Sequence, residues 1–212
     1  MTDHTKLYCF GESGNAFKAA FMLSACGLDW TPVVVDFFNG ETRTPAYRAE
    51  VNEMGEVPVL VHGGRKLAQS GVILTYLAEV TGQFGPRDGD EQLELLRWLL
   101  FDNHKFTSYV ATLRFLVALA KTGETPVTEF LRGRAVAAAA IVDKHLAETP
   151  WLVGGRPTIA DLSLSGYLFY PEQYGVDWTG YANIARWLDR LRALPGWKPP
   201  YEMMPKAPAR RG

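Results

Sequence analysis

The order of patterned segments predicts two domains, an α/β N-terminal domain followed by an all-α C-terminal one. Three observations carry this. An apolar run, an Ala- and Phe-rich helical run and a β-branched run succeed one another between residues 6 and 38. A Gly-rich hairpin pattern occupies residues 57–68, and beyond residue 90 strand signals are weak while apolar residues recur at helical spacing.

Residues 6–10 are apolar and aromatic and end at Gly11, which reads as a strand and a turn. Over 15–26, Ala16, Phe17, Ala19, Ala20, Phe21, Met22 and Leu23 are helix formers with a broad apolar face, and Gly27 supplies a stop. Residues 31–38 hold Val33-Val34-Val35 between Pro32 and Asn39-Gly40 and suit a buried strand. A β-α-β unit implies a parallel strand pair with a right-handed crossover. Residues 57–61 and 66–68 read as two strands around a Gly-rich turn. Val72, Ile73, Tyr76, Leu77 and Val80 then predict a helix with Ser70 at or near its N-cap. The first domain is expected over 1–80, a Gly- and Pro-containing linker over 81–89, and the helical domain over 90–212.

In the second domain, residues 91–121 and 127–148 read as long helices, the latter with Pro126 near its first turn. Thr158-Ile159-Ala160-Asp161 opens a further helix, and residues 181–194 make a last amphipathic one stopped by Pro195-Gly196. The tail from Pro199 is expected to be extended or mobile.

Charge narrows the function. The 212 residues carry 22 Lys and Arg against 23 Asp and Glu, so no strong field exists to hold a nucleic acid or an anionic membrane. No apolar stretch approaches the roughly 18 residues of a membrane span, and residues 1–6 carry no apolar leader run. A cytoplasmic protein is expected, without nucleic-acid or membrane partners. Cys9 and Cys26 have neither CxxC spacing nor His neighbours at metal-ligand spacing, so both are expected reduced and no metal site is expected.

Gly11-Glu12-Ser13-Gly14-Asn15 lies where a strand ends and a helix starts. Free backbone N–H groups and the positive end of the helix dipole favour an anion there, and a thiolate is such an anion. A thiol with a pKa near ~8.5 is ionised more readily when a hydroxyl and a helix N-terminus face the sulfur. Ser13 is the first candidate donor and Asn15 the second; taken alone, Ser13 reads as an ordinary cap. The GxSxG nucleophile elbow fails here because Asn15 stands where its last glycine belongs.

Pro58 begins an otherwise central-looking strand. A cis peptide between Val57 and Pro58 would reconcile the two and leave the Val57 backbone to pair with an extended peptide. Gln69-Ser70, at the start of a helix, offers a backbone N–H, a hydroxyl and an amide suited to a carboxylate; taken alone it reads as an ordinary N-cap. A thiol site, a backbone-pairing site and a carboxylate site match a thiol-bearing tripeptide.

The chain resembles the glutathione transferase superfamily over nearly its full length. The resemblance rests on Lys6-Leu7-Tyr8, residues 13–18, Asn52-Glu53-Met54-Gly55-Glu56-Val57-Pro58-Val59-Leu60, Gln69-Ser70-Gly71-Val72-Ile73, Trp151-Leu152-Val153-Gly154 and the 158–161 capping box. It implies a thioredoxin-like N-terminal domain, an all-α helical C-terminal domain and a cis Pro58. It further implies Val57 pairing with the cysteinyl backbone of glutathione, and Gln69 and Ser70 at its γ-glutamyl end, with Glu56 in the same site. Ser13 is carried over as the thiol partner from serine-type bacterial members, with Asn15 or a backbone N–H as alternatives because Gly14 stands where several of those members hold the serine. Cys9 and Cys26 are read as structural. Phe10, Phe106, Tyr109 and Arg114 are candidates for an apolar acceptor pocket. The implied activity is conjugation of glutathione, a co-substrate, to a small electrophile in a homodimer, with no tightly bound cofactor. A glutathione-dependent thiol-disulfide or peroxide reductase, and a non-catalytic binding protein of the same fold, are the alternatives.

Overall fold

The computed structural model describes residues 4–211. The chain forms two compact units, one built from residues up to Gln83 together with those from Leu194 onward, the other from Phe84–Ala193.

The first unit contains a four-stranded sheet in the order β2-β1-β3-β4. Strand β1 (Thr5–Cys9) runs parallel to β2 (Trp30–Val34) and antiparallel to β3 (Val59–His62), with Leu7 opposite Pro32 and Leu60; β4 (Arg65–Ala68) pairs with β3. Pro32, which lacks a ladder N–H, is thereby confined to an edge strand. Helix α1 (Gly14–Ala25) follows β1, and residues Ala16 to Leu23 on it are all buried, so packing holds this helix far more than its propensity does. Gly27, at φ 68°, ends it in the left-handed conformation that glycine adopts without steric cost.

The strand expected over 31–38 ends at Val34. Its continuation coils into short 3₁₀ turns, Phe37–Asn39 and Glu41–Arg43, because the Glu41 carboxylate accepts the Asp36 N–H at 2.6 Å. Helix α2 (Pro45–Glu50) was not expected: six residues carry too little periodicity. Its start is nonetheless written locally, with Pro45 in the first turn and the Thr44 hydroxyl accepting the Tyr47 N–H. Helix α3 (Ser70–Thr81) takes Gln69 as its N-cap, with Ser70 as its first residue.

The helical unit begins with α4 (Gly89–Phe101), which continues through a π turn at Asp102–Phe106 into α5 (Thr107–Arg114) and a second π turn at Phe115–Leu119. The first widening coincides with a buried carboxylate: Asp102 accepts from the Thr107 hydroxyl five residues on and from Ser163, both at 2.6 Å. Helix α6 (Pro126–Glu148) packs on α8 (Ala182–Arg192), and between them in sequence lies α7 (Ile159–Leu164), buried throughout. The 158–161 capping box forms as the sequence predicts.

The C-terminus departs from expectation. Instead of a free tail on the helical domain, residues from Leu194 onward belong to the first unit and include a short helix, α9 (Pro200–Met203), that packs on α1. The reason is steric and polar: Gly11 has no Cβ, so the Met204 and Pro205 carbonyls approach its backbone closely, and the Gly11 N–H donates to Pro205 O at 2.6 Å. Among the described residues no helix is long and apolar enough to cross a membrane.

Candidate active site

The candidate residues of the first unit begin at the start of α1. Ser13 adopts an extended conformation and its Oγ accepts the Ala16 N–H at 3.2 Å, while its own N–H donates to Phe10 O. The hydroxyl hydrogen takes no part in that cap and is available to donate. Among the described residues the backbone N–H groups of Gly14 and Asn15 have no partner, as the first turn of a helix leaves them. Ser13 is only 7% exposed, so a charge placed against it meets little competing water.

The N-terminus of α3 lies against that of α1, with the Ser70 hydroxyl 3.5 Å from Asn15 Oδ1. Gln69 holds φ 67°, a left-handed conformation unusual for a residue with a side chain, and its amide donates to Glu56 Oε2 at 2.7 Å. Two helix N-termini therefore converge on one polar surface of this unit.

The segment entering β3 completes it. The Glu56 carbonyl is pinned by two donors, the Tyr47 hydroxyl at 3.0 Å and the Asn52 amide at 3.1 Å. Burial pushes the Tyr47 hydroxyl well above the usual phenol range, so it stays a donor. The Val57–Pro58 bond is cis. Val57 lies outside the ladder, which begins at Val59, and among the described residues its N–H and C=O have no backbone partner. Ser13, Asn15, Glu56, Val57, Pro58, Gln69 and Ser70 thus belong to one unit, with direct contacts joining Asn15 to Ser70 and Gln69 to Glu56.

Cysteine nucleophiles are disfavoured. Burial pushes the Cys9 thiol up to about 12, and burial also raises Cys26 against the opposing hydrogen bond from Thr81, so neither is a thiolate at neutral pH. Among the described residues there is no His, Cys, Asp or Glu cluster suited to a metal ion.

The four acceptor-pocket candidates separate. Phe10 is buried in the first unit, stacked on Phe37 at 4.7 Å and edge-on to Phe38. The other three lie in the helical unit. Phe106 is fully buried beside Trp178; Tyr109 is half-buried under the Arg134 guanidinium; Arg114, also buried, pairs with Glu172 at 2.9 Å and lies 3.9 Å over the Tyr170 ring. Sequence reading missed Tyr47 and Asn52, which position Glu56, and the whole C-terminal contact with Gly11 and Glu12. For Asn52 the proximity to Glu56 in sequence was a usable signal; for the C-terminal contact no local pattern existed.

Comparison with known proteins gives the family. The family model for the glutathione S-transferase N-terminal domain matches residues 4–79, and that for the glutathione S-transferase C-terminal domain matches residues 125–190. A maleylacetoacetate isomerase of Rhizobium meliloti is 30% identical over 84% of this chain and 86% of its own length. The chain belongs to the glutathione S-transferase superfamily. Glutathione S-transferase F14 of Arabidopsis thaliana is 29% identical, over 91% of this chain and 80% of its own. A crystal structure of a glutathione S-transferase from Pseudomonas fluorescens superposes with a TM-score of 0.86 at 32% identity, covering 92% of this chain and 98% of that one. The superfamily fold, a thioredoxin-like domain with a mixed four-stranded sheet followed by a helical domain, is the one described above.

Proposed function

We propose that the protein is a glutathione transferase that ionises the thiol of glutathione in its first unit and directs the thiolate at a small, apolar electrophile. The observation that carries this reading is the Ser13 hydroxyl. Its oxygen is committed to the Ala16 N–H, which leaves its hydrogen for an anion beside the unpartnered Gly14 and Asn15 N–H groups. A hydrogen bond to a charged group contributes about 1.5–3 kcal/mol, equivalent to roughly one to two pKa units. Starting from a thiol near ~8.5, that shift makes the thiolate a major species at neutral pH. The Asn15 amide is the second donor.

The remaining contacts follow the chemistry of the tripeptide. Val57 offers its N–H and C=O to the cysteinyl backbone as an added strand. Ser70, Gln69 and the start of α3 take the γ-glutamyl carboxylate, and the Glu56 carboxylate, held by the Gln69 amide, takes its ammonium. Glutathione is a co-substrate, and no resident cofactor is assigned. A homodimer is part of the same reading, supported by Leu93, Leu96 and Leu100, exposed along one face of α4. A cytoplasmic location and detoxification of electrophiles belong to the same reading, and free Cys9 and Cys26 accord with a reducing compartment.

The test is calorimetry with glutathione and its S-alkyl derivatives, then ultraviolet titration of the bound thiol and a panel of electrophiles and disulfides. Absence of any heat of association sinks the reading. A bound thiol titrating as free glutathione does would make the protein a binder, and disulfide reduction without conjugation would make it a reductase.

A further inference from the structure

The last eleven described residues do more than end the chain. Pro205 and Pro208 bias the part after α9 toward extended backbone, whose carbonyls and remaining N–H groups are left for other partners. Within the first unit those partners are the two residues that precede Ser13. Gly11 N–H donates to Pro205 O at 2.6 Å, and the Ala207 N–H donates to Glu12 Oε2 at 3.0 Å. Further on, Asn39 holds the segment twice, donating to Ala209 O at 3.0 Å and accepting the Arg211 N–H at 2.8 Å. Arg210 covers the Phe38 ring, and Arg211 reaches Asp36 at 3.4 Å. The fit at the turn is tight: a Cβ on Gly11 would meet Met204 O and Tyr201 Cδ1 at 3.1 Å.

We propose that residues 201–211 form a positioning strap for thiol activation, holding Gly11 and Glu12 so that Ser13, Gly14 and Asn15 present their donors in one fixed direction. The inference rests on the transferase reading above and adds to it a specific set of residues. Helix α1 is already secured by its buried face and by α9 against it, so the strap beyond α9 contributes to the turn before the helix. Glu12 is the one acid between Gly11 and Asn15, and the Ala207 N–H holds its carboxylate in place. Without the Ala207 tie the turn before Ser13 is held less firmly, the Ser13, Gly14 and Asn15 donors lose their common aim at the sulfur, and a thiolate that accepts weaker hydrogen bonds forms less readily. Loosening the strap therefore raises the pKa of the bound thiol while the groups that bind the rest of glutathione stay as they were.

Two full-length variants test this. Ala207→Pro deletes the donor to Glu12, and Asn39→Ala cuts both distal ties without touching the turn. Thermal unfolding establishes that each is folded, calorimetry with S-alkyl glutathione gives Kd, and ultraviolet titration with a pH–rate profile gives the bound thiol pKa. The expected result is a pKa raised by about half a unit to one unit, roughly a three- to tenfold loss of thiolate below it. The turnover lost at neutral pH returns at alkaline pH, and Kd stays within about twofold. Asn39→Ala gives the smaller shift. Thiol pKa and turnover equal to those of the parent in both folded variants would overturn the strap, as would a weakened Kd with an unmoved pKa. A parent protein that fails to bind glutathione would instead remove the reading on which the strap rests.

Discussion

Replacing Ser13 by alanine removes an oxygen that caps α1 and a hydrogen proposed to face the thiolate, and the two losses are read by different measurements. The oxygen caps α1 through the Ala16 N–H at 3.2 Å, and the hydrogen is the proposed donor to the thiolate. Loss of the cap is expected to cost about 1 kcal/mol of stability, or roughly 2–4 °C in Tm for a chain of this size. Loss of the donor removes about 1.5–3 kcal/mol from the charged form of the bound thiol alone. That donor favours the anion, so its removal raises the thiol pKa, by about one to two units. With the parent thiol then at ~6.5–7.5 and the variant's back at ~8.5, the thiolate fraction and turnover at pH 7 fall about eight- to twenty-five-fold and recover as pH approaches the new pKa. Ultraviolet titration of the glutathione complex measures the shift, and urea unfolding measures the cap. Ser13→Thr, which retains the hydroxyl, is expected to stay near the parent in both. If Ser13→Ala loses the cap energy while the bound thiol titrates unchanged, Ser13 is only a cap; a raised pKa in Asn15→Ala would then move the role to the amide.

Other expectations concern the helical unit and Cys9. Asp161 is fully buried and accepts from Leu152 N, Thr158 N, the Thr158 hydroxyl and Trp187 Nε1, each at 2.9 Å. Asp161→Ala strands these donors and is expected to cost about 3–6 kcal/mol in urea unfolding, with a loss under about 1 kcal/mol contradicting the network. Glu91 is held below its ordinary value of 4.5, first by the Arg156 guanidinium and then by the Arg87 N–H. Its folded pKa is depressed, so the stability it lends is present above the unfolded value and is lost as pH falls through the folded one. Glu91→Gln should flatten that acid limb in unfolding curves taken from pH 5 downward, and an unchanged limb would show that the pair carries no pH dependence. With its thiol near 12, Cys9 should resist iodoacetamide at pH 8 in the folded protein and react only after unfolding; rapid native alkylation, read by mass spectrometry, would contradict its burial.

Much of this protein was legible because the relevant interactions are local. A cap joins Ser13 to Ala16, a capping box joins Thr158 to Asp161, and Gly27 stops α1, each within a few residues. Such pairs leave their mark in spacing, which is why the order of elements and the turn at Ser13 could be read directly. The limits have the same origin. Phe106, Tyr109 and Arg114 recur at helical spacing whether they line a pocket or fill a core, and only packing showed Phe106 fully buried and Arg114 bound to Glu172.

By itself the sequence determined the two-part architecture, the strand-to-helix turn at Ser13, and the proline that enters β3. Only the tertiary structure decided the left-handed Gln69 that meets Glu56, the early end of β2, and the return of the C-terminus to the turn before Ser13. Ala207 and Glu12 are 195 positions apart. A hydrogen bond across that distance depends on the path of the whole intervening chain, which periodicity and capping signals, both reaching only about one helical turn, do not encode.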